Sequence, residues 1–349
     1  MPTFSAEKLT VFADSLFRAC GVPAEEAARV AQSLVLANLC GHDSHGMIRV
    51  IQYADAIKDG RLKPGAPFNI VKQTAAVMVV DGGWGLGMVQ AHRLLDRLIP
   101  RAEALGLAAG TLKNCGHVGR LGEYAEAAAA RKMAFLASVN NHGFNRGVAP
   151  PGGKEARIGT NPLCIGIPTN SDPVVLDIGT SVVAEGKVRV AFNKAQQVPQ
   201  GWLLDPDGKP TTDPGVLYKE PRGSILPLGG SQAYKGFGIG LVLDMLVGGF
   251  SGAPCSTPGL PNMSGNAVFF LVIDIDQFAG AEHFLKEVSG LAHNIKACPK
   301  VDGVQEILVP GEPERRSRTQ RRQSGIPLDD GTWQQLTALA ELLKVLTPN

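Results

Sequence analysis

Apolar residues recur at helical spacing through the first sixty residues of the chain. Leu9 and Phe12 lie on one face of a predicted helix that Ser5 can cap, and Pro23 starts a second helix. A third helical segment follows a polar loop at residues 41–45. The chain therefore begins with helices that bury one face each.

From about residue 68, short β-rich runs alternate with helical segments. The predicted strands are residues 75–80, 107–112 and 135–140, and the predicted helices between them are 89–105 and 121–133. Such alternation is typical of an α/β fold built from βαβ units. Further along, the pattern predicts a helix over residues 180–190, a strand over 267–273 and a buried helix over 236–250.

The last fifty residues return to a polar, helical pattern like that of the N-terminal segment. We therefore predict a helical domain made of residues 1–70 and 300–349, whose two parts pack together. Residues 71–299 are predicted to form a mixed α/β domain that binds cofactor and substrate.

Length, charge and cysteine usage narrow the class of protein. The 349 residues suffice for about two domains, and a net charge of +2 gives no field that would favour nucleic acid. The apolar stretch at 236–250 contains Asp244 and is shorter than the roughly 20 residues of a membrane span. No signal peptide is recognisable, and the six cysteines form no C-x-x-C pair. We expect a cytoplasmic protein with a small-molecule ligand, no nucleic-acid partner and no membrane partner.

Glycine is abundant, with 42 residues, which indicates many loops that approach a ligand closely. However, the chain lacks the G-x-G-x-x-G turn of common dinucleotide-binding domains. It also lacks the P-loop, the H-E-x-x-H zinc motif and the G-x-S-x-G nucleophile elbow. Phosphate-loop, zinc-protease and serine-hydrolase functions are therefore not expected, and no metal site is predicted.

The loop before the third helix carries the best candidate chemistry. If that helix begins near Gly46, then His45, Arg49 and Tyr53 follow one another at four-residue spacing along one face. Arg can bind a carboxylate bidentately and His can move a proton near neutral pH, which suits a 2-oxo or 2-hydroxy acid. Surface residues that cap a helix would give the same spacing, so that alternative stays open.

Other polar clusters are ambiguous. His117 and Arg120 precede a helix whose N-terminus would attract an anion, although an ordinary helical turn explains them equally. Asp177 could bind a ligand or cap the predicted helix 180–190. Two further sets can be either ligand contacts or turns: Asn140, Asn141, His142 and Asn145, and Tyr234-Lys235-Gly236. The five arginines between residues 315 and 322 are predicted to form a solvated helix face.

Several of these segments, in this order, resemble the type 2 malate/L-lactate dehydrogenase family, which comprises NAD(P)-dependent 2-oxoacid reductases. The matching motifs are GHDSHG (41–46), GHVGRLGEYAE (116–126), GTNPLCIGIP (159–168), LDIGTSVVAEGKVRVA (176–191), GWLLDPDGKPTTDP (201–214), YKGFG (234–238) and LVPGEPE (308–314). Seven motifs spread over nearly the whole chain are far more specific than any single motif.

The resemblance implies a non-Rossmann α/β fold, α+β-like, in which a mixed, mainly antiparallel sheet binds the cofactor. A helical domain built from both chain ends would lie beside this sheet, and the protein would form a homodimer. This topology differs from the βαβ arrangement that the residue pattern predicts.

The resemblance also implies roles for individual residues. His45 would be the general acid/base, Ser44 and Arg49 would place the substrate, and His117 would be a second polar group at the reaction centre. The residues implied to contact NADH or NADPH are Gly119, Arg120, Leu121, Asp177, Ile178, Gly179, Thr180, Ser181, Tyr234, Asn266, Gly311, Glu312, Pro313 and Glu314. Ile178-Gly179 and Tyr234 depart from the usual family pattern, which leaves the choice between the two cofactors open.

The implied reaction is hydride transfer between NAD(P)H and a 2-oxo or 2-hydroxycarboxylate of the 2-oxoglutarate, phenylpyruvate, malate or lactate type. Two alternatives stay open at this point. One is reduction of a cyclic imino acid of the Δ1-piperideine-2-carboxylate type. The other is a non-catalytic protein that binds a dinucleotide.

Overall fold

The computed structural model describes residues 1–143, 146–259 and 265–348. Within these ranges the helices are α1 (Ala6–Ala19), α2 (Ala24–Leu39), α3 (Arg49–Lys58), α4 (Gly87–Leu105), α5 (Gly122–Ala129), α6 (Glu185–Asn193), α7 (Ala233–Ser251), α8 (Ala281–Lys296), α9 (Glu312–Ser324) and α10 (Asp330–Leu343). The strands are β1 (Thr3–Phe4), β2 (Asn69–Gln73), β3 (Val77–Gly85), β4 (Leu107–Cys115), β5 (Met133–Asn140), β6 (Leu163–Ile167), β7 (Val174–Ile178), β8 (Leu203–Leu204), β9 (Pro210–Thr211), β10 (Ser224–Ile225), β11 (Asn266–Asp274) and β12 (Ile326–Pro327).

The two chain ends pack together. The Ser5 hydroxyl caps α1 by accepting from the Lys8 amide, and the strand before it, β1, pairs antiparallel with β12. Phe4 packs against Trp333 of α10 with ring centroids 4.6 Å apart. The apolar faces of α1, α2, α3 and α10 therefore share one core. The domain boundaries near residues 70 and 300 stay a prediction.

A seven-stranded sheet forms the centre of the protein, in the order β2-β3-β4-β11-β5-β6-β7. Only β3 and β4 are parallel neighbours, joined by α4, and every other adjacent pair is antiparallel. The predicted βαβ unit is thus correct for β3-α4-β4. It is wrong for the next pair, because β11 lies between β4 and β5. The mixed, mainly antiparallel sheet implied by the resemblance is confirmed.

Successive side chains of β11 point to opposite faces of this sheet, and helices cover both faces. Val268 and Phe270 pack into the core that includes α4 and α5, whereas Ala267 and Phe269 pack against Val247 of α7. The prediction that residues 236–250 form a helix is correct, but the prediction that this helix is buried is wrong. Only its inner face is covered.

The outer face of α7 is exposed and apolar, including Ile239, Val242, Met245 and Phe250. By length and composition alone, the 22 residues Gly230–Ser251 could cross a membrane. However, Asp244 on the inner face is buried and accepts hydrogen bonds from side chains of the sheet domain. This helix is therefore fastened to the sheet through a polar group.

A small sheet, β10-β8-β9, and α6 form a separate lobe with its own core around Val188 and Leu203. Gly186, at the start of α6, lies against the loop that precedes α3, and an added Cβ there would be 3.1 Å from the Ser44 Cβ. The lobe therefore covers one side of a cavity between the helices and the sheet.

Candidate active site

A cavity of about 420 Å³, here called the central cavity, lies where the helices, the large sheet and the small lobe meet. Ser44, His45, Arg49 and His117 all line it, together with Tyr53. The structure thus brings together the four side chains to which the resemblance assigns catalytic roles. Their catalytic roles stay a prediction, because geometry alone does not test them.

His45 ends a short 3₁₀ turn, Asp43–His45, between α2 and α3. The helix itself begins at Arg49, so the expectation that it starts near Gly46 is wrong by about one turn. The His45 Nδ1 lies 3.0 Å from the Ser44 hydroxyl. Burial, followed by the nearby charge of Arg49, lowers the pKa of His45 to about 3. His45 is therefore neutral near pH 7 and can accept a proton.

His117 faces His45 across the cavity, with ring centroids 5.4 Å apart. Its Nδ1 accepts from the Gly119 amide at 3.3 Å and lies 2.7 Å from the Tyr53 hydroxyl. Because an amide can only donate, Nδ1 carries no proton, and the ring proton lies on Nε2. Burial lowers the pKa of His117 well below its ordinary value, so this ring is a neutral hydrogen-bond donor.

Arg49 is held by its own neighbours. Its Nε donates to the Ser44 carbonyl at 2.7 Å, and one terminal nitrogen donates to the Gln52 side chain at 2.6 Å. The other terminal nitrogen has no partner within the part of the chain that the structure describes, and Arg49 lines the cavity. The guanidinium is thus pre-oriented to bind an anion such as a carboxylate.

The loop before α5 is positioned from β11. The Asn266 side chain is buried, and its Oδ1 accepts from the Val118 amide at 3.0 Å. Its Nδ2 donates to Asn141 at 2.9 Å. Of the residues predicted to contact the cofactor, Gly119, Leu121 and Asn266 line the central cavity.

The other predicted cofactor residues lie outside that lining. Arg120 is buried and pairs with Glu126 at 2.7 Å, and the Asp177 carboxylate accepts from the Gly122 amide at 2.7 Å. The Asp177 carboxylate therefore binds a backbone amide in the first turn of α5. Of the two alternatives open for Asp177, capping of the helix predicted at 180–190 is wrong, because that helix, α6, begins at Glu185 with Ala184 at its N-cap. Burial raises the pKa of Asp177.

The remaining members of this set are distributed as follows: Ile178, Gly179 and Tyr234 are exposed, Thr180 and Ser181 are buried, and Gly311, Glu312, Pro313 and Glu314 begin α9. The Thr180 hydroxyl donates to the Thr160 carbonyl at 2.9 Å, which connects the segment after β7 to a residue of the cavity wall. The left-handed φ of Gly311, 93°, suits glycine. Whether these residues contact a cofactor stays a prediction.

Helix α9 supports the His45 turn, which we define as residues 41–46. Glu314, Ser317 and Arg321 share one face of α9. Glu314 lies 3.2 Å from His42 Nε2, and the Ser317 hydroxyl donates to the Leu39 carbonyl at 2.9 Å. Arg321 donates to both Asp43 carboxylate oxygens, at 2.6 and 3.0 Å.

The prediction of a solvated arginine face on α9 is therefore wrong. Arg315 pairs with Asp172, and Arg316 with Glu306. Arg318 lies near Glu126, and the side chain of Arg321 is only 19% exposed. Among these five arginines, Arg316 and Arg322 are exposed as the solvated interpretation predicts, although Arg316 is also paired.

Several cavity residues are not among those predicted for the site: Gln52, Arg61, Asn161, Glu185 and Gly186. Asn161 lies in the matched GTNP segment and donates to Asp244 of α7 at 3.2 Å. Asn140 donates to the same carboxylate at 3.0 Å, so one buried group orders two loops. His142 is buried, Asn141 lines the cavity, and Asn145 lies outside the described residues.

Residues 4–337 match the model of the malate/L-lactate dehydrogenase family. The chain belongs to this family. It is 37% identical over 336 residues to hydroxycarboxylate dehydrogenase B of Escherichia coli O157:H7, covering 95% of this chain and 91% of that protein. It is 36% identical to L-sulfolactate dehydrogenase of Methanocaldococcus jannaschii, covering 93% and 92%. The protein is thus an oxidoreductase that acts on CH–OH groups.

Solved structures agree in fold. Malate dehydrogenase from Pyrococcus horikoshii OT3 superposes with a TM-score of 0.90 at 29% identity, covering 99% of this chain and 97% of that one. Δ1-Piperideine-2-carboxylate reductase from Pseudomonas syringae superposes with a TM-score of 0.84 at 26% identity, covering 97% and 100%. The family resemblance inferred from the sequence motifs is confirmed.

Proposed function

We propose that the protein interconverts 2-hydroxycarboxylates and 2-oxoacids, with NADH/NAD⁺ or NADPH/NADP⁺ as redox partner and His45 as the general acid/base. The observation that carries this proposal is the central cavity, where His45, His117 and Arg49 converge. Such a site supplies a proton acceptor, a neutral donor and a carboxylate anchor within one small space. Substrates of the 2-oxoglutarate, phenylpyruvate, malate and lactate types fit this chemistry.

The residues around the cavity fit a nicotinamide dinucleotide, the cofactor type of this family. Gly119 adopts a left-handed φ of 75°, which lets its backbone turn beside His117. Within the described ranges, Arg120 Nε and Glu314 Oε2 are buried without a hydrogen-bond partner, so both could bind a polar ligand. Gly119, Leu121 and Asn266, with these two groups, would hold the cofactor. When bound, the nicotinamide supplies the carbon that gives or takes the hydride.

Arg49 and His117 would orient the acid. The free terminal nitrogen of Arg49 binds the substrate carboxylate, and this places the neighbouring carbon beside His45. His117 donates its Nε2 proton to the substrate oxygen, since its Nδ1 is an acceptor. Neither group needs to change protonation state.

His45 moves the proton. In oxidation, its neutral ring accepts the proton of the substrate hydroxyl through Nε2, because Nδ1 is engaged with Ser44. In reduction it must first be protonated, which its low pKa opposes. A bound carboxylate offsets the charge of Arg49, the second cause of that low pKa, and therefore favours protonation.

His45→Ala tests the assignment. The change should lower kcat/KM by about 10²–10⁴ with each 2-oxoacid, because a positioned acid is lost. His283→Ala, in an exposed part of α8, is the matched control. A His45→Ala enzyme that consumed NAD(P)H at the parent rate would exclude His45 as the general acid.

A cyclic imino acid is the second candidate substrate, favoured by the similarity to the piperideine-2-carboxylate reductase structure. There the imine nitrogen, rather than a carbonyl oxygen, would receive the proton. Parallel assays of 2-oxoglutarate, phenylpyruvate, oxaloacetate, pyruvate and the cyclic imine, each with NADH and NADPH, distinguish the two substrate classes. If the imine gave the highest kcat/KM, the cyclic imino acid would be the substrate and the 2-oxoacid proposal would be wrong. Binding of a dinucleotide without turnover of any of these compounds would favour the non-catalytic alternative.

We further infer a cytoplasmic homodimer. All six cysteines are free, as in reducing compartments. The exposed apolar face of α7 and the amphipathic α8, which has no buried residue, offer area for a second copy. Val242→Asp on α7 should shift the sedimenting species from dimer to monomer, while Val11→Asp on α1 should not. A monomeric parent protein would refute the homodimer.

A further inference from the structure

A second cavity, of about 440 Å³, adjoins the central one. The two share three lining residues, Asn141, Thr160 and Glu185. The rest of the second cavity is lined mainly by Arg146, Arg189, Arg222, Tyr218 and residues of the small lobe. None of the residues to which the family resemblance assigns a role lines it.

The lining of this cavity carries an excess of positive charge, with three guanidinium groups and a single carboxylate, that of Glu185. Its Oε1 accepts from Arg189, at 3.0 and 3.2 Å, and from the Tyr218 hydroxyl at 2.9 Å. The capacity of that oxygen is therefore already used inside the protein. Within the described residues, Glu185 forms an ion pair with Arg189 and none with Arg146 or Arg222.

The three arginines of the second cavity differ in how firmly neighbouring side chains hold them. The Arg189 guanidinium lies 3.7 Å from the centre of the Tyr218 ring, and its bonds to Glu185 fix its plane. Arg222 pairs with Glu220, which does not line the cavity. Arg146 makes no hydrogen bond or ion pair in the portion of the chain that the structure describes. An unpaired guanidinium beside a stacked one favours an anion in this cavity.

We propose that the second cavity is an anion subsite that binds a carboxylate or phosphate group of a ligand whose reacting end lies at His45. This inference rests on the proposed function for the position of the reacting end. Arg49 already serves the carboxylate next to the reacting carbon, so the anion bound by Arg146 and Arg189 is a second one. It belongs either to a dicarboxylic substrate or to the cofactor phosphates.

Matched substrates and single substitutions distinguish these two sources. Arg146→Met and Arg189→Met keep an unbranched, flexible stem and remove the guanidinium with its charge. Arg157→Met is the control, because Arg157 pairs with exposed Glu155, has no other ion pair among the described residues and lines neither cavity. Each protein is assayed with oxaloacetate and with pyruvate, which differ by one carboxylate. The KM for NADH and NADPH is measured in the same assays, and thermal melting confirms folding.

If the anion belongs to the substrate, Arg146→Met should lower kcat/KM about tenfold more with oxaloacetate than with pyruvate. This factor corresponds to the loss of one charge-assisted hydrogen bond. A cofactor-derived anion predicts an increase of about tenfold in the KM for NADH or NADPH with either acid. Changes no larger than those of Arg157→Met in every arm would overturn the subsite.

Failure of the proposed function is separable from failure of the subsite. If the parent enzyme turned over none of the acids, calorimetric titration with succinate and with inorganic pyrophosphate would still show whether the subsite binds an anion. About tenfold weaker binding of either probe by Arg146→Met than by the parent supports the subsite. Equal binding by parent and variant, or no binding by the parent, overturns it.

Discussion

Arg321 of α9 should control the activity of a turn that belongs to the other end of the chain. Its guanidinium donates to both oxygens of Asp43 and, at 2.5 Å, to the Asn38 carbonyl. The Asn38 side chain in turn donates to Asp43 at 2.6 Å and accepts from the Met47 amide at 2.8 Å. Arg321→Met removes the cation around which these groups are arranged and leaves the helix intact.

The cost follows from the exposure of the groups. The side chain of Asp43 is 53% exposed, so its ion pair contributes only about 0–1 kcal/mol. The bond to the Asn38 carbonyl, made by a largely buried guanidinium, contributes about 1.5–3 kcal/mol. A loss of about 2 kcal/mol corresponds to roughly thirtyfold in the equilibrium constant between the ordered and the disordered turn. We expect kcat to fall by about 10–30-fold, and KM to change less, because Arg49 is unaltered.

Steady-state NAD(P)H consumption measures the effect, and thermal melting shows whether the fold survives. Arg322→Met is the control, since Arg322 is the exposed next residue of the same helix. Asp43→Asn and the double variant Asp43→Asn/Arg321→Met complete a double-mutant cycle. The coupling free energy between the two residues should be about 0.5–3 kcal/mol. A kcat for Arg321→Met within twofold of the parent value would show that α9 does not position the turn.

Three further outcomes are expected. With the pKa of His45 at about 3, kcat/KM for reduction should rise about tenfold per unit as pH falls from about 8 to 5, while that for oxidation should stay flat on the acid side. A plateau in the reduction profile below pH 6.5 would show an ordinary histidine pKa. Tyr53→Phe removes the O–H beside the second imidazole and should lower kcat/KM by about threefold to tenfold; an unchanged rate would mean that this bond does not orient the ring. Gly46→Ala would place a Cβ 2.1 Å from the Asn38 Oδ1 and should cost about 1–3 kcal/mol in chemical denaturation, whereas Gly290→Ala, with open space around it, should not destabilise the fold.

The sequence and the structure agree where the signal is local. Ser5 caps α1 as its spacing predicts, and the crossover through α4 is a true βαβ unit. They disagree where a distant segment intervenes. β11 separates β4 from β5 although 125 residues lie between the end of β5 and the start of β11, a pairing that no local pattern can report.

The candidate site shows the same division. The four-residue spacing of His45, Arg49 and Tyr53 identified side chains that do line one cavity. However, the arginine run on α9 looked like a solvated face, because its partners, among them Asp43, lie in other segments of the chain. The sequence likewise gives no sign of the positive charge around the second cavity, since Arg146, Arg189 and Arg222 are far apart along the chain and line one cavity only in the folded protein.

By itself, the sequence determined the helical ends, the alternating middle, the catalytic candidates and, through seven ordered motifs, the family. Only the tertiary structure decided that the outer face of α7 is exposed, that α9 contacts the His45 turn and that burial keeps His45 neutral near pH 7. The physical reason is that hydrophobic periodicity reports which face of an element is buried, whereas pairing, burial and pKa depend on which distant groups cover it.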